Sequence, residues 1–341
     1  MLNYLCQEFI TFFTTNITIV IGMNGKTLTL IVVMIVIISS IGLVLGKDTI
    51  MGFFDGDTEL TDDRNVTVRF DGSFSRIASM GEPFTQILGE LDALDQVVLV
   101  DKYGITLNTT YPQIDGILDV NQSINGDRNL IAESIILAAP DIVITYYWPS
   151  MSNAMANIAF IEDTLNIPVL AYSPSSYDDV MTLVNSIGII TGKVDNATAI
   201  YSQMGHVKQV IQDFVSTLNE SDYKHVYFEL ATYGLKTVNY GSVSHNLIVM
   251  AGGINVAADS SISTSSYPTD QEDLVDFNQT YGIDMVIVEE RSTREDSYFQ
   301  TPLPGVPIHH FPYGLNSYNT NLMDGLIWMA ETLYPDAEFD F

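Results

Sequence analysis

Residues 135–150 read IILAAPDIVITYYWPS. Ile142, Val143 and Ile144 make a short apolar run introduced by Pro140-Asp141, a turn signal. An uninterrupted run of this kind is the pattern of a strand buried on both faces. It continues into Tyr146, Tyr147 and Trp148 and stops at Pro149-Ser150. A core strand that carries three large aromatics to its carboxyl end organises the reading of everything around it.

Upstream and downstream of this strand the same alternation recurs. Residues 76–80 predict a short strand and 83–94 a helix, with Phe84, Ile87, Leu88 and Leu91 on one face. A strand follows at 96–100, a helix at 130–137 leads into the strand at 141–146, and a helix at 152–165 leads to a strand at 168–172. A second stretch repeats the pattern: strand 225–229, helix 243–251 closed by Gly252-Gly253, helix 272–281, strands 284–289 and 306–311, and a final helix at 319–333. Between them, 196–218 predicts one long helix, since Ile200, Met204, Val207, Val210, Ile211, Phe214 and Leu218 recur at helical spacing. Strands alternating with helices indicate parallel sheets covered on both faces.

The expected fold class is therefore α/β, with two Rossmann-like lobes on central parallel sheets joined by one long helix and preceded by a membrane segment. The expected divisions are 1–47 (extension and membrane anchor or signal), 48–66 (acidic tether), 67–176 (lobe 1), 177–220 (helical connection) and 221–341 (lobe 2).

Residues 27–46 are 20 uncharged residues between Lys26 and Lys47, about the length that crosses a bilayer core. No small-residue cleavage site and no lipid-accepting cysteine follow, so an uncleaved anchor is preferred over a cleaved signal peptide. Met23 offers an alternative start, with 1–22 as an upstream extension. The tether contains Asp55, Asp57, Glu59, Asp62 and Asp63 but not the order of a calcium loop, with glycine at the sixth position and glutamate at the twelfth.

The chain carries 42 Asp and Glu against 13 Lys and Arg, a net charge of −29. Such a surface repels phosphate backbones, which excludes nucleic acid as a partner. At 47% hydrophobic residues, disorder is not implied. One cysteine, Cys6, excludes an internal disulfide and a cysteine-rich metal site. Seven Asn-X-Ser/Thr sites, at Asn16, Asn65, Asn108, Asn121, Asn196, Asn219 and Asn278, suit an exported glycoprotein. The expected location is the outer face of the cell membrane, with secretion after signal cleavage as the alternative.

Six pieces of the chain, in order from Thr61 to the C-terminus, carry a family resemblance. Thr61-Asp-Asp-Arg-Asn-Val-Thr-Val resembles an opening TDxxGRxVTV strand, and Arg76-Ile-Ala-Ser-Met with Thr85-Gln-Ile-Leu resembles RIVSLxPSxTEIL. Leu137-Ala-Ala-Pro-Asp-Ile-Val-Ile resembles LKPDLVI. Leu247-Ile-Val-Met-Ala-Gly-Gly-Ile-Asn-Val-Ala-Ala-Asp resembles LIELAGGENVAAD, and Asp324-Gly-Leu with Leu333-Tyr-Pro resembles DGLExLAxxLHP. Together they resemble the class III substrate-binding proteins of ABC importers, which capture cobalamin, haem or ferric siderophores. The resemblance implies capture of a metal chelate between the lobes, an ABC permease as partner, and no catalytic residue or resident cofactor.

In open α/β sheets ligands bind beyond the carboxyl ends of strands. That rule nominates Gly81, Glu82, Pro83, Lys102, Tyr103, Tyr146, Tyr147 and Trp148 in lobe 1, and Tyr233, Lys236, Arg291 and Arg294 in lobe 2. Aromatic faces suit a corrin, porphyrin or catecholate. The cations suit an anionic chelate, with salt bridges to Glu289, Glu290 or Glu295 as the competing use. His309 and His310 are neighbours on a strand and point to opposite faces, so they cannot share one metal. The family's two permease-docking acids are amides in this chain, Gln86 and Asn246. A membrane-anchored sensor or scavenger without a standard permease is therefore the alternative, and a metallochelatase-like enzyme a more distant one. No P-loop, G-x-G-x-x-G, G-x-S-x-G or H-E-x-x-H motif is present.

Overall fold

The structure, a computed structural model, describes residues 58–148, 151–231 and 236–341. The expected anchor at 27–46 and the start of the tether lie outside the described residues. Residues 58–341 make one compact unit, and among the described residues no helix is long and apolar enough to cross a membrane.

An antiparallel hairpin comes first, β1 (Thr58–Thr61) with β2 (Thr67–Phe70). The acidic stretch expected as tether is thus, from Thr58 on, part of the folded body. Its carboxylates have local work. Asp62 accepts from the Ala171 N–H at 3.0 Å and pairs with Arg64, which also reaches Glu162 at 2.9 Å. Asp63 accepts from Ser173. These bonds sew the hairpin to the first lobe.

Lobe 1 contains β3 (Ile77–Met80), α1 (Glu82–Glu90), β4 (Val97–Val100), β5 (Leu118–Asp119), α2 (Arg128–Ala138), β6 (Ile142–Tyr146), α3 (Ser152–Asp163) and β7 (Val169–Tyr172). The sheet order is β5-β4-β3-β6-β7, parallel throughout. The run Ile142–Ile144 is fully buried within it, as its composition requires. Helix α2 starts at Asp127, whose side chain accepts from the Asn129 and Leu130 N–H groups, and stops at Ala139 in the left-handed region, φ 44°. Pro140 prevents continuation, and the Asp141 carboxylate then accepts from the Arg76 N–H at 3.1 Å, setting β3 and β6 side by side at their start.

The connection is a helical pair. The long helix expected at 196–218 is α5 (Val194–Val215), and α4 (Tyr177–Thr191) precedes it. A capping box from Ser176 and Asp179 opens α4, and Gly192, φ 71°, closes it. A Cβ on Gly188 would lie 2.3 Å from the Ala197 Cβ, so the two helices meet where only glycine leaves room.

Lobe 2 contains β8 (Lys224–Leu230), β9 (Lys236–Val238), α6 (Val243–Met250), β10 (Gly253–Asn255), β11 (Ser266–Pro268), α7 (Gln271–Tyr281), β12 (Met285–Glu289), α8 (Asp296–Gln300), β13 (Ile308–Phe311) and α9 (Leu322–Leu333). Strands β8, β12 and β13 pair in parallel, and β10 pairs in parallel with the amino-terminal half of β8. Beyond them β9 and β11 form an antiparallel edge that the sequence pattern did not reveal.

One apolar core runs through the whole unit, from Ile144 and Leu170 in lobe 1 through Ile187, Met204 and Ile211 of the helical pair to Phe228, Ile287 and Leu326 in lobe 2. Separate clusters fill the outer faces, around Leu99, Ile135 and Ile158 in lobe 1 and around Leu274, Val288 and Phe299 in lobe 2.

Candidate functional site

Strand β6 delivers its aromatics as expected at its carboxyl end, and alternation along the backbone divides them. Tyr146 stacks on Trp148, ring centroids 4.3 Å apart, and leans on Phe84 at 4.7 Å. Tyr147 points the other way and packs against the outer core of lobe 1. Gly81, between β3 and α1, is what lets this cluster close. A Cβ there would stand 2.8 Å from Phe84 and 2.9 Å from Tyr146.

The second lobe completes the wall. Tyr318, in the segment between β13 and α9, sets its ring 6.1 Å from Tyr146, edge-on, and 6.0 Å from Trp148. Tyr318 has no local signature of its own, since it lies seven residues beyond the end of β13 rather than next to it. Tyr146 is half-buried, and burial first, then the nearby Glu82, Tyr318 and Asp101, push its phenol well above the ordinary range. It is a neutral hydroxyl with a π face.

Two acids, Glu82 and Asp101, stand near this wall. Glu82 opens α1 and is half-buried, and burial raises its pKa. Asp101 follows β4 and is 1% exposed; burial pushes it up to about 6, although it accepts from the Gly104 N–H at 2.8 Å and the Tyr103 N–H at 3.1 Å. Sequence reading named its neighbours Lys102 and Tyr103 and passed over Asp101. Those neighbours are exposed, with the Lys102 ammonium 4.8 Å from the Tyr103 ring centroid.

Two of the expected cations of lobe 2 are engaged within the protein. Arg294 is buried against Glu229, Nη1 to Oε1 3.0 Å, donates to the Thr269 carbonyl at 2.8 Å and covers the Tyr298 ring. The salt bridge therefore forms, with Glu229 rather than with Glu289, Glu290 or Glu295. Burial pushes Glu229 up to about 7 despite this partner. Arg291 is exposed and sits over Tyr313, its Cζ 3.1 Å from the ring centroid. Lys236 is half-buried on β9, and Tyr233 lies outside the described residues. His310 Nε2 sits 3.2 Å from Asp296 Oδ1 on the surface, and His309, lowered by burial, has no acidic cluster beside it. Among the described residues no group of three His, Cys, Asp or Glu side chains could hold a metal ion.

The two amides face inward. Gln86 is buried and spans the lobes. Its Nε2 donates to Glu90 Oε1 and to Asn321 Oδ1, each at 2.9 Å, and its Oε1 accepts from Asn319 Nδ2 at 2.7 Å. Thr320 donates to the other Glu90 oxygen. Residues 318–321 thus form a strap from lobe 2 that lies on both the aromatic wall and α1. Asn246 does similar work elsewhere: its Oδ1 accepts from the Tyr177 N–H at 2.9 Å, tying α6 to the start of α4.

No family model and no curated protein matches the chain. Solved structures do. The molybdate periplasmic binding protein MolA of a Haemophilus influenzae ABC transporter superposes with a TM-score of 0.65 at 18% identity, over 82% of this chain and 92% of that one. A periplasmic solute-binding protein from Veillonella parvula gives 0.59 at 20% identity, over 83% and 89%. The periplasmic heme-binding protein RhuT from Roseiflexus gives 0.56 at 19% identity, over 78% and 100%. With its two α/β lobes and helical connection, the chain has the fold of the periplasmic solute-binding proteins.

Proposed function

We propose that this chain is an extracytoplasmic binding protein that captures a metal chelate between its lobes, against Tyr146, Trp148 and Tyr318, for ABC-type import. The observation that carries this reading is the aromatic wall, built from both lobes at the carboxyl ends of the sheet strands, where ligands of open α/β folds sit. Glu82 and Asp101 at that wall, with Arg294 neutralised by Glu229, support an uncharged or cationic chelate. Hydroxamate-type ferric siderophores and cobalamin meet this condition better than haem or the strongly anionic catecholates. Residues 27–46 would hold the body at the outer face of the membrane.

One observation favours a second reading. Gln86 and Asn246 are neutral amides whose polar atoms are used in contacts within the protein, so neither presents a charge to a permease. A tethered sensor or scavenger needs no such charge. Thermal unfolding of the full chain with cobalamin, haem, ferric hydroxamate and catecholate complexes, molybdate and free ferric ion tests ligand capture. A bound compound at 100 times its Kd adds about 2.7 kcal/mol and raises the midpoint. A rise with an uncharged or cationic chelate is expected, and no rise with any compound would overturn the proposal.

A further inference from the structure

Lobe 2 contains a second concavity that shares no residue with the aromatic wall. It lies at the opposite, amino-terminal end of β8, between Tyr223, which precedes that strand, and β10, which pairs with its first residues. Its volume is about 700 Å³, within the range of small-molecule sites. Tyr240, Val249 and Ile254 line it and are all exposed, an unusual use of apolar surface in a chain this acidic. His245 and Asn255 are the polar groups among them, with Glu220 contributing a carboxylate.

The hydrogen bonds of Asn255 determine the state of His245. Asn255 Nδ2 donates to the Val238 carbonyl at 2.9 Å, and its Oδ1 accepts from the Ala257 N–H at 3.1 Å, which fixes the amide orientation. The same Nδ2 lies 3.2 Å from His245 Nδ1. Having only hydrogens to offer, it makes Nδ1 an acceptor, so the ring proton sits on Nε2. Burial lowers the His245 pKa and keeps the ring neutral. The ring also meets Tyr240 in a T-shaped pair, centroids 4.8 Å apart. No hydrogen bond from Nε2–H to a described residue is formed.

We propose that this concavity is a second ligand site, taking an uncharged, flat molecule that offers a hydrogen-bond acceptor to His245 Nε2–H and lays its apolar body on Tyr240, Val249 and Ile254. A metal ion is disfavoured because the outward nitrogen carries the proton and the inward one faces a donor. An anion is disfavoured by Glu220 and by the net charge of −29. A cation lacks the acceptor that His245 requires.

The test is a titration of the full chain with three probes of one shape, 2-naphthamide, 2-naphthoate and 2-naphthylmethylammonium, followed by NMR of the histidine ring nitrogens. The expected result is His245 protonated on Nε2, saturable perturbation of its signals by 2-naphthamide, and binding at least tenfold weaker for the two charged probes. His245→Phe keeps a ring but removes the donor and weakens the amide about tenfold, the scale of one hydrogen bond. Tyr240→Ala, at an exposed position, weakens it several-fold, and Trp148→Ala leaves it unchanged. A proton on Nδ1, equal binding by His245→Phe, or loss of binding in Trp148→Ala would each overturn the proposal.

Discussion

Asp101 illustrates how a single carboxylate at a strand end serves two ends at once. It accepts from two backbone N–H groups of the following turn and stands near Tyr146, and burial holds its pKa at about 6, above the 3.8 of the unfolded chain. The sign follows from which state binds the proton more tightly. The folded state does, so the proton's contribution to stability is full below pH 3.8, fades as pH rises, and is gone above about 6. Asp101→Asn keeps an acceptor for both N–H groups and removes the titration. Between pH 4 and 6.5 the wild-type protein should lose about 2–3 kcal/mol relative to this variant in urea unfolding; a difference that does not vary with pH would contradict the assigned environment. Asp101 was legible in principle, since it is the first residue beyond β4. Its neighbours Lys102 and Tyr103 drew the reading because cations and aromatics look more like ligand groups, whereas burial, which sets apart an acid at this place, is a property of the folded state.

The elements were most legible where burial imposes a period. Helix α5 and strands β3, β6 and β12 announce themselves through apolar spacing, because each is packed on a continuous core. Strands β9, β10 and β11 did not, being three residues each and held by backbone pairing at or near the edge of the sheet. The strap at 318–321 has no period at all; side-chain hydrogen bonds to a helix of the other lobe define it, and no local pattern encodes such partners. Its contact with α1 explains why position 86 is an amide. Gln86 supplies the donor that Glu90 and Asn321 share. Gln86→Glu would set a carboxylate against two acceptors, and we expect it to lower stability at pH 7 by about 1–3 kcal/mol, with part of the loss recovered at pH 4 as the new group takes up a proton. An unchanged unfolding midpoint at pH 7 would show that the strap does not depend on this amide.

At the scale of the molecule, the alternation of strand and helix periods anticipated the two lobes, their sheets and the long helix, and similar solved structures share the fold. What it left open is how the lobes are held. The core passes from one lobe through α4 and α5 into the other without interruption, and the strap adds polar bonds across the cleft. If it captures a ligand as proposed, such a body would do so with little closure. The charged residues expected in the cleft were harder to read, because sequence position shows that Arg294 follows a strand but not that Glu229 waits beneath it. Whether a chelate rests on the aromatic wall is decided by a calorimetric titration of the full chain and of its Trp148→Ala variant with a ferric hydroxamate complex and with cobalamin. Saturable binding of one of them to the wild-type protein is expected, weakened tenfold or more when the ring of Trp148 is removed. Equal affinity in the two proteins would place the ligand away from the aromatic wall and contradict the proposed function.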